Sequence, residues 1–381
     1  MSLFLLAFLS IYGSVHLYAF LKVRSALSFG AGTGIILGIF MVIMTCAPII
    51  VRILERSGYE IPARTISYIG YTWMGVLFLF FSISLLMDLY RLSAYTAGLI
   101  LSTDTGRFIL SARAAFLITL ISALCISLYG YVEALNIRAE KIVIRSSKIP
   151  ETIGRLRIAQ ISDVHLGLIV RQQRLNRIIQ VIQEAEPDIL VSTGDLVDGQ
   201  INELSSLAQS LKEVEPRYGK YAVTGNHEFY AGLTQALEIT RNAGFHVLRG
   251  EAVTVSDLIS IAGVDDPTGK RFGLSQGASE DELLSRLKGD TFTLLLKHIP
   301  VVRYNAHAAF DLQLSGHTHR GQIFPFRLVI ELFFSHISGL YDLSDGAHLY
   351  VSRGTGTWGP PIRFLSPPEV TIIDITHDKH P

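Results

Sequence analysis

Long apolar stretches, separated by charged residues, make up the first third of the chain. Four of them hold about 20 residues, the number that a helix rising about 1.5 Å per residue needs to cross a bilayer. They are Leu3–Leu21, Gly30–Val51, Ile66–Met87 and Ala114–Val132. None carries the polar stripe at 3.6-residue spacing that helices packed in a soluble domain show. The pattern therefore predicts four transmembrane helices.

Three features within these stretches need interpretation. The first stretch could be a cleaved signal peptide, but no basic residue precedes it and three more spans follow, so we expect a retained helix. Gly30, Gly34 and Gly38 lie four residues apart, a spacing that lets another helix approach closely in lipid. His16 is either a functional ionisable group or a neutral histidine bonded to a neighbouring helix, and we favour the neutral histidine.

The pattern changes from about Arg155 to short apolar runs that alternate with amphipathic segments. The predicted strands are Leu156–Ile161, Ile189–Thr193, Tyr221–Thr224, Leu258–Gly263, Phe292–Lys297, Leu312–Leu314, Leu349–Val351 and Val370–Ile373. The predicted helices are Arg171–Ala185, Asn202–Glu213, Thr234–Ala243 and Asp281–Leu287. Such alternation predicts a layered α/β domain with its binding groups at the carboxyl ends of strands.

Composition and charge support this division of the chain. Lys plus Arg and Asp plus Glu number 33 each in 381 residues, and this zero net charge argues against a nucleic-acid partner. Up to Val132 there are only 8 basic and 4 acidic residues. We expect a four-helix transmembrane region over 1–135, a linker over 136–154 and the α/β domain over 155–381. Cys46 and Cys125 both fall within spans, which predicts neither a disulfide framework nor a metal–thiolate site.

Polar motifs follow five of the predicted strands. In chain order they are Asp163-Val164-His165, Gly194-Asp195, Gly225-Asn226-His227-Glu228, His298 and Gly316-His317-Thr318-His319. Alternate residues of an extended backbone point to the same side, so Asp-x-His and His-x-His can each direct two side chains to one ion. Carboxylate, imidazole and amide ligands without thiolate suit Mn²⁺, Fe or Zn²⁺. The motifs therefore predict a metal site.

This order of motifs resembles the calcineurin-like metallophosphoesterase superfamily from Arg155 to the C-terminus. Gly-Asp-Leu-Val-Asp-Gly, Tyr-Ala-Val-Thr-Gly-Asn-His-Glu and Tyr-Val-Ser-Arg-Gly with a later Pro-Pro-Glu resemble its membrane-attached bacterial branch. That branch includes phosphodiesterases and UDP-2,3-diacylglucosamine pyrophosphatases of lipid A synthesis. The resemblance implies an α/β metallophosphoesterase domain with the fold of a four-layer αββα sandwich.

The resemblance also implies a role for each motif residue. Two divalent metal ions are expected, with Mn²⁺ favoured and Fe or Zn²⁺ as alternatives. Asp163, His165 and His319 would hold the first ion; Asn226, His298 and His317 would hold the second; and Asp195 would bridge them. His227 would contact the phosphate and protonate the leaving oxygen as the catalytic acid.

Two arginines and one apolar segment leave alternatives open. Arg320 stands where relatives usually carry glycine, and it is either a solvated side chain or a contact to the substrate phosphate. Arg353 is a second candidate for that contact. The segment Ile323–Leu343 is either an interfacial element that dips towards lipid or a buried connector.

Together these features predict a membrane-anchored, dinuclear-metal-dependent phosphohydrolase. It would cleave a phosphodiester or pyrophosphate bond in a lipid-linked or envelope substrate, with the lipid bilayer and this phosphoester as its partners. The alternative is a transporter or membrane sensor regulated by a phosphoesterase-like domain. We expect a location in the bacterial cytoplasmic membrane, and seven basic residues flanking the spans on the side of the catalytic domain, against five on the other, favour a cytoplasmic domain.

Overall fold

The computed structural model describes residues 3–199, 204–287, 289–303, 309–343 and 346–378. Its contacts divide the chain into two units. One unit is Met1–Val132 with Gly359–Phe364, and the other is Glu133–Trp358 with Leu365–Pro381. The three boundaries expected from the sequence remain a prediction.

The first unit contains four long apolar helices, as predicted. They are α1 (Leu3–Leu27), α2 (Ala31–Arg56), α3 (Glu60–Leu101) and α4 (Ala112–Glu133). All four are long and apolar enough to cross a membrane. The 42 residues of α3 correspond to about 63 Å of helix, roughly twice the hydrocarbon thickness of a bilayer. The predicted span Ile66–Met87 is therefore only part of α3, which continues beyond a single crossing.

Close packing of α2 against α3 depends on a glycine outside the predicted glycine series. A Cβ on Gly70 of α3 would lie 2.8 Å from the Cβ of Ala47 on α2, so only glycine permits this approach. A Cβ on Gly30 or Gly38 would meet nothing within 4 Å in the described part of the chain, and one on Gly34 would meet the ring of Phe29, which lies just before α2 and not on another helix. The close approach expected at the glycine series is thus absent among the described residues.

His16 has partners at both ring nitrogens. The indole Nε1 of Trp73 lies 2.9 Å from His16 Nε2, and His16 Nδ1 lies 2.9 Å from the carbonyl oxygen of Tyr12. Because an indole N–H can only donate, Nε2 must accept and Nδ1 must carry the proton. This geometry supports the interpretation of His16 as a neutral, helix-bridging residue.

The second unit is built on two six-stranded sheets. In spatial order, the first sheet contains β1 (Arg138–Ser146), β12 (Glu369–His377), β2 (Arg155–Ile161), β3 (Ile189–Ser192), β4 (Lys220–Ala222) and β5 (His246–Val247). The second contains β10 (Gly339–Asp342), β11 (His348–Val351), β9 (Leu312–Ser315), β8 (Phe292–Leu296), β7 (Ile259–Gly263) and β6 (Glu251–Val255). Strands β2 to β5 are parallel, as are β7, β8, β9 and β11, so their carboxyl ends share one edge of each sheet.

The sheets pack face to face with helices outside them. Buried side chains of β2, β3, β8 and β9 belong to one hydrophobic cluster, which joins the two sheets. The helices of this unit are α5 (Gln172–Ala185), α6 (Ser205–Lys212), α7 (Asn226–Ala231), α8 (Leu233–Asn242), α9 (Thr268–Phe272), α10 (Glu280–Ser285) and α11 (Arg327–Ile330). Helix α5 contacts β1 and β12, whereas Leu283 and Leu284 of α10 pack with Ala262 and Leu295 of the second sheet. The predicted four-layer αββα sandwich is confirmed.

The element boundaries agree with the pattern where apolar residues cluster. All eight predicted strands are present, and α5, α8 and α10 lie within two residues of their predicted bounds. Residues 202 and 203 of the predicted helix Asn202–Glu213 lie outside the described residues. Residues 138–146, within the stretch expected to be a linker, form the edge strand β1, which pairs with β12 in parallel.

Candidate metal centre

The five polar motifs lie on loops that leave neighbouring strands of the two sheets. Five of the expected ligands have a positive φ, a conformation that costs a non-glycine residue on the order of 1–3 kcal/mol. The values are 52° for Asp163, 53° for His165, 51° for Asp195, 71° for His317 and 47° for His319. The surrounding backbone contacts must therefore hold these loops in place, as expected for a site that is shaped before ligand binds.

One set of side chains, which we call the first group, consists of Asp163, His165 and His319. His165 Nε2 lies 3.1 Å from His319 Nε2, and His319 Nε2 lies 3.3 Å from Asp163 Oδ1. All three residues are buried. Two imidazole nitrogens and a carboxylate oxygen thus converge on one point, which suits a shared cation.

The second group consists of Asp195, His298 and His317. His298 Nε2 lies 3.2 Å from both Asp195 Oδ2 and His317 Nδ1. Asp195 Oδ2 is also 3.9 Å from His165 Nε2 of the first group. One carboxylate therefore faces both groups.

Asn226 supplies a test of whether a cation fits the second group. Its Oδ1 is buried and accepts no hydrogen bond from any described residue. A buried amide oxygen without a donor costs free energy unless something else satisfies it. Since Asn226 immediately follows the loop glycine Gly225, which lies beside Asp195, a hard cation in the second group fits this donor set.

Backbone groups orient the expected ligands. His298 Nδ1 lies 2.8 Å from the carbonyl oxygen of Thr193, which places a proton on Nδ1 and directs Nε2 towards Asp195. The backbone N–H of His317 donates to both oxygens of Asp163, at 3.1 and 3.0 Å. These contacts fix the ring tautomer and the carboxylate plane before any ion binds.

Glu228 holds the loops of the site together, a role that the sequence analysis did not assign to it. Its buried carboxylate accepts hydrogen bonds from the backbone N–H groups of Gly225 (2.7 Å), Leu196 (2.8 Å), Asp195 (3.0 Å) and Val197 (3.3 Å). It thereby ties the loop of Asp195 to the loop of Asn226. The available sequence signal was a glutamate three residues after Gly225, at the third position of α7, where its carboxylate can reach back to the N-cap backbone N–H.

His227 is within reach of both groups, because with His165 and Asp195 it forms a third set of side chains that could hold a metal ion. Its Nδ1 is 2.8 Å from Asp198 Oδ1, and its backbone N–H donates to Asp195 Oδ1 at 2.8 Å. Burial lowers the pKa of His227, but the carboxylates of Asp195 and Asp198 outweigh burial and raise it to about 9. The ring of Trp358 lies against His227, with the ring centroids 5.7 Å apart.

Asp198 is a second residue that the sequence analysis did not assign. Burial alone would raise its pKa, but His165, whose Nδ1 lies 3.7 Å away, and the hydrogen-bonded ring of His227 hold the pKa below its usual range. Asp198 therefore stays ionised and links the first group to His227. Its place in the motif Gly194–Gly199 was the only sequence signal for it.

The two candidate phosphate-binding arginines have different surroundings. Arg353 contacts Glu140 at 2.6 Å and also pairs with the buried carboxylate of Glu369, which weighs against its availability to a substrate. Arg320 follows His319 directly, and its Nε is buried without a hydrogen-bond partner among the described residues. Burial, with Arg327 and Arg353 nearby, lowers the pKa of Arg320. The phosphate-contact role of both arginines stays a prediction.

The apolar segment after His319 is largely exposed between two buried residues, Ile323 and Ile337. Leu332 and Phe333 are 80% and 75% exposed, and Phe324, Phe326 and Leu328 also face solvent. The ring of Phe334 lies 5.4 Å from that of His317. These exposures argue against a buried connector and place an apolar surface beside the second group.

Comparisons with known proteins agree with this geometry. Residues 156–321 match the family model described as calcineurin-like phosphoesterase. An uncharacterised metallophosphoesterase of Aquifex aeolicus is 43% identical over 254 residues, which are 66% of this chain and 97% of that protein. A transmembrane protein with metallophosphoesterase domain of Danio rerio is 31% identical over 324 residues, which are 81% of this chain and 73% of that protein. An uncharacterised metallophosphoesterase of Campylobacter jejuni is 32% identical over 327 residues, which are 83% of this chain and 85% of that protein.

Proposed function

Because the chain belongs to the calcineurin-like phosphoesterase family, we propose that it cleaves a phosphodiester or pyrophosphate bond in a lipid-linked or envelope substrate. The chain is a metal-dependent phosphoester hydrolase with membrane-spanning helices. Asp195 carries the proposal, because its Oδ2 lies 3.2 Å from His298 Nε2 and 3.9 Å from His165 Nε2. A carboxylate placed between two sets of donors is what a dinuclear centre requires.

The proposed ligand sets follow the two groups. Asp163, His165 and His319 would hold one divalent ion; Asn226, His298 and His317 would hold the other; and Asp195 would bridge them. Oxygen and imidazole donors without thiolate favour Mn²⁺, with Fe or Zn²⁺ as alternatives. When bound, two such ions polarise phosphoryl oxygens and make a water molecule acidic enough to supply the nucleophile near neutral pH.

His227 is the proposed proton donor to the leaving oxygen. Asp198 engages its Nδ1, and the backbone bond to Asp195 fixes its position against the second group. The ring nitrogen left for the substrate is Nε2. Proton transfer from a positioned side chain contributes about 10²–10⁴-fold to the rate. Arg320 is the proposed contact to the phosphate oxygens, since a guanidinium matches them bidentately.

Substitutions at the metal centre test the proposed reaction. The full chain is purified in detergent, stripped with a chelator and reloaded with Mn²⁺, Fe²⁺ or Zn²⁺. Hydrolysis of bis(p-nitrophenyl) phosphate, p-nitrophenyl phosphate and a nucleoside diphosphate sugar is then compared. We expect metal-dependent turnover that Asp195→Asn abolishes and that Asp290→Asn, at an exposed carboxylate, leaves unchanged. Equal turnover by both variants would refute the bridging role, and a preference for the monoester would refute the proposed bond type.

The exposed apolar segment supports a lipid-linked substrate. Phe333 is 75% exposed next to Phe334, whose ring contacts His317, so an apolar surface adjoins the reaction centre. Replacing both with serine should reduce hydrolysis of a lipid-linked pyrophosphate in mixed micelles and spare bis(p-nitrophenyl) phosphate. Val143→Ser, at an exposed apolar position of β1, is the matched control. Equal losses on the two substrates would contradict the lipid link. The narrower resemblance to UDP-2,3-diacylglucosamine pyrophosphatases stays a prediction.

We propose that the protein resides in a bacterial cytoplasmic membrane with a cytoplasmic catalytic domain. The support is the excess of basic residues flanking the spans on that side. A reporter fused after Glu133, at the end of α4, tests the orientation. Green fluorescent protein should fluoresce there and alkaline phosphatase should be inactive, and the reverse result would place the domain outside the cytoplasm.

A further inference from the structure

The membrane unit contains a polar cavity bounded by α1, α3 and α4. Its volume is about 50 Å³. At about 10–15 Å³ for each water molecule, this is room for about three to five waters, or one phosphate group. The side chains that matter here are Lys22, Ser84, Asp88, Arg91, Phe116 and Thr119.

The cavity lies where three predicted spans end. Lys22 directly follows the first span, Asp88 directly follows the third, and Phe116 is near the start of the fourth. Charged residues in such positions lie at the boundary between hydrocarbon and headgroups, where a lipid phosphate is found. A phospholipid could therefore place its phosphate in the cavity while its acyl chains remain in the bilayer.

The charges around the cavity do not balance. Tyr18 donates to Asp88 Oδ2 at 2.6 Å and Lys22 donates to Asp88 Oδ1. Among the described residues that line the cavity, Asp88 is the only carboxylate, and both of its oxygens have partners. Arg91 also lines the cavity, but it makes no hydrogen bond with another described residue. Two cations against one carboxylate leave one net positive charge around the cavity, which an anion would neutralise.

From this arrangement we propose that the cavity binds the phosphate group of an anionic membrane lipid. Arg91 presents its guanidinium fork to two phosphate oxygens, and Lys22 supplies the second cation. The hydroxyl of the buried Thr119 adds a neutral donor, while Phe116 forms part of an apolar wall against the glycerol moiety. Basic pockets between transmembrane helices recognise lipid headgroups in this way. The cavity is lined by none of the residues of the metal centre, and its proposed role does not depend on the proposed reaction.

Lipid titration of the full-length protein tests this site. The protein is delipidated in detergent and titrated with phosphatidylglycerol, phosphatidylcholine or inorganic phosphate, with bound molecules counted by native mass spectrometry. We expect phosphatidylglycerol to bind more tightly than zwitterionic phosphatidylcholine. Arg91→Gln should weaken phosphatidylglycerol binding about tenfold or more, since it removes charge-assisted hydrogen bonds. Asp88→Asn should strengthen it, because Lys22 loses its competing carboxylate.

The opposite signs expected for these two variants distinguish a binding site from general damage to the helices. Arg107→Gln, at an exposed cation between α3 and α4, is the matched control and should bind like the unchanged protein. Turnover of bis(p-nitrophenyl) phosphate should stay unchanged in Arg91→Gln, which confirms that the catalytic unit is folded. Equal weakening in Arg107→Gln and Arg91→Gln, or weakening in Asp88→Asn, would overturn the proposal. Binding of inorganic phosphate alone, with the same dependence on Arg91, would overturn the lipid source.

Discussion

Replacing Glu228 with glutamine removes one charge from the metal centre and keeps the size of the side chain. Glu228 Oε1 accepts from the backbone N–H groups of Leu196 and Val197, and Oε2 accepts from those of Gly225 and Asp195. Glutamine has one acceptor oxygen and one donor NH₂ group. In either orientation of the amide, two of the four backbone N–H groups would face another donor.

The expected loss of stability follows from this geometry. A buried N–H group left without an acceptor costs about 1–3 kcal/mol, so two such groups cost about 2–6 kcal/mol. For a domain of this size, about 1 kcal/mol corresponds to a change of about 2–4 °C in Tm, so Tm should fall by about 4–24 °C. The loops of Asp195 and Asn226 would also lose their link, which should weaken metal binding about 10–100-fold.

Thermal unfolding of the full chain in detergent, followed by intrinsic fluorescence, measures the first effect. Metal content after dialysis against a limiting chelator measures the second. Glu238→Gln makes the same chemical change at an exposed position of α8 and should alter neither quantity. If Glu228→Gln unfolds at the same temperature as Glu238→Gln and keeps its metal, Glu228 does not hold the two loops together.

Three further outcomes are expected. His227→Gln should lower kcat for a phosphodiester about 10²–10⁴-fold without loss of metal, as measured by turnover and elemental analysis. Gly316→Ala should lose metal, because its Cβ would lie 2.2 Å from Asp163 Oδ2. Arg157 holds Asp374 at 2.7 and 2.9 Å and lowers the pKa of that carboxyl below 3.8. Ionised Asp374 therefore stabilises the fold fully above pH 3.8, and this contribution is lost as the pH falls through the lowered pKa. In Asp374→Asn, the free energy of unfolding measured against pH should fall less steeply on the acid side.

Matched variants separate these effects from general damage. Gly289→Ala adds a Cβ that meets nothing within 4 Å and should keep its metal. Loss of metal in His227→Gln would instead assign His227 a structural role. An unchanged acid limb in Asp374→Asn would show that other carboxylates dominate unfolding by acid.

Much of the architecture could be predicted because it depends on local patterns. A run of about 20 apolar residues has few alternatives to a membrane helix. Strands such as Phe292–Leu296 are buried on both faces, so they appear in the sequence as mostly apolar runs. The short strands β5 and β10 lack such runs, because they lie at sheet edges and contain polar or exposed residues. Their places depend on pairing with strands that are distant in sequence.

The candidate ligands could be listed from the sequence because metal chemistry restricts residue type and spacing, as in Asp163-Val164-His165. Their grouping, with Asp195 facing both sets, required the two sheets to bring separate loops together. The four backbone bonds of Glu228 and the pairing of Arg353 with Glu140 and Glu369 arise only from that assembly. Residue types and local periodicity can be read directly from the sequence, whereas contacts between distant segments depend on the free energy of the whole packed structure. For this reason the sequence alone determined the four long helices, eight of the twelve described strands and the candidate donors, and only the tertiary structure decided which side chains share a site.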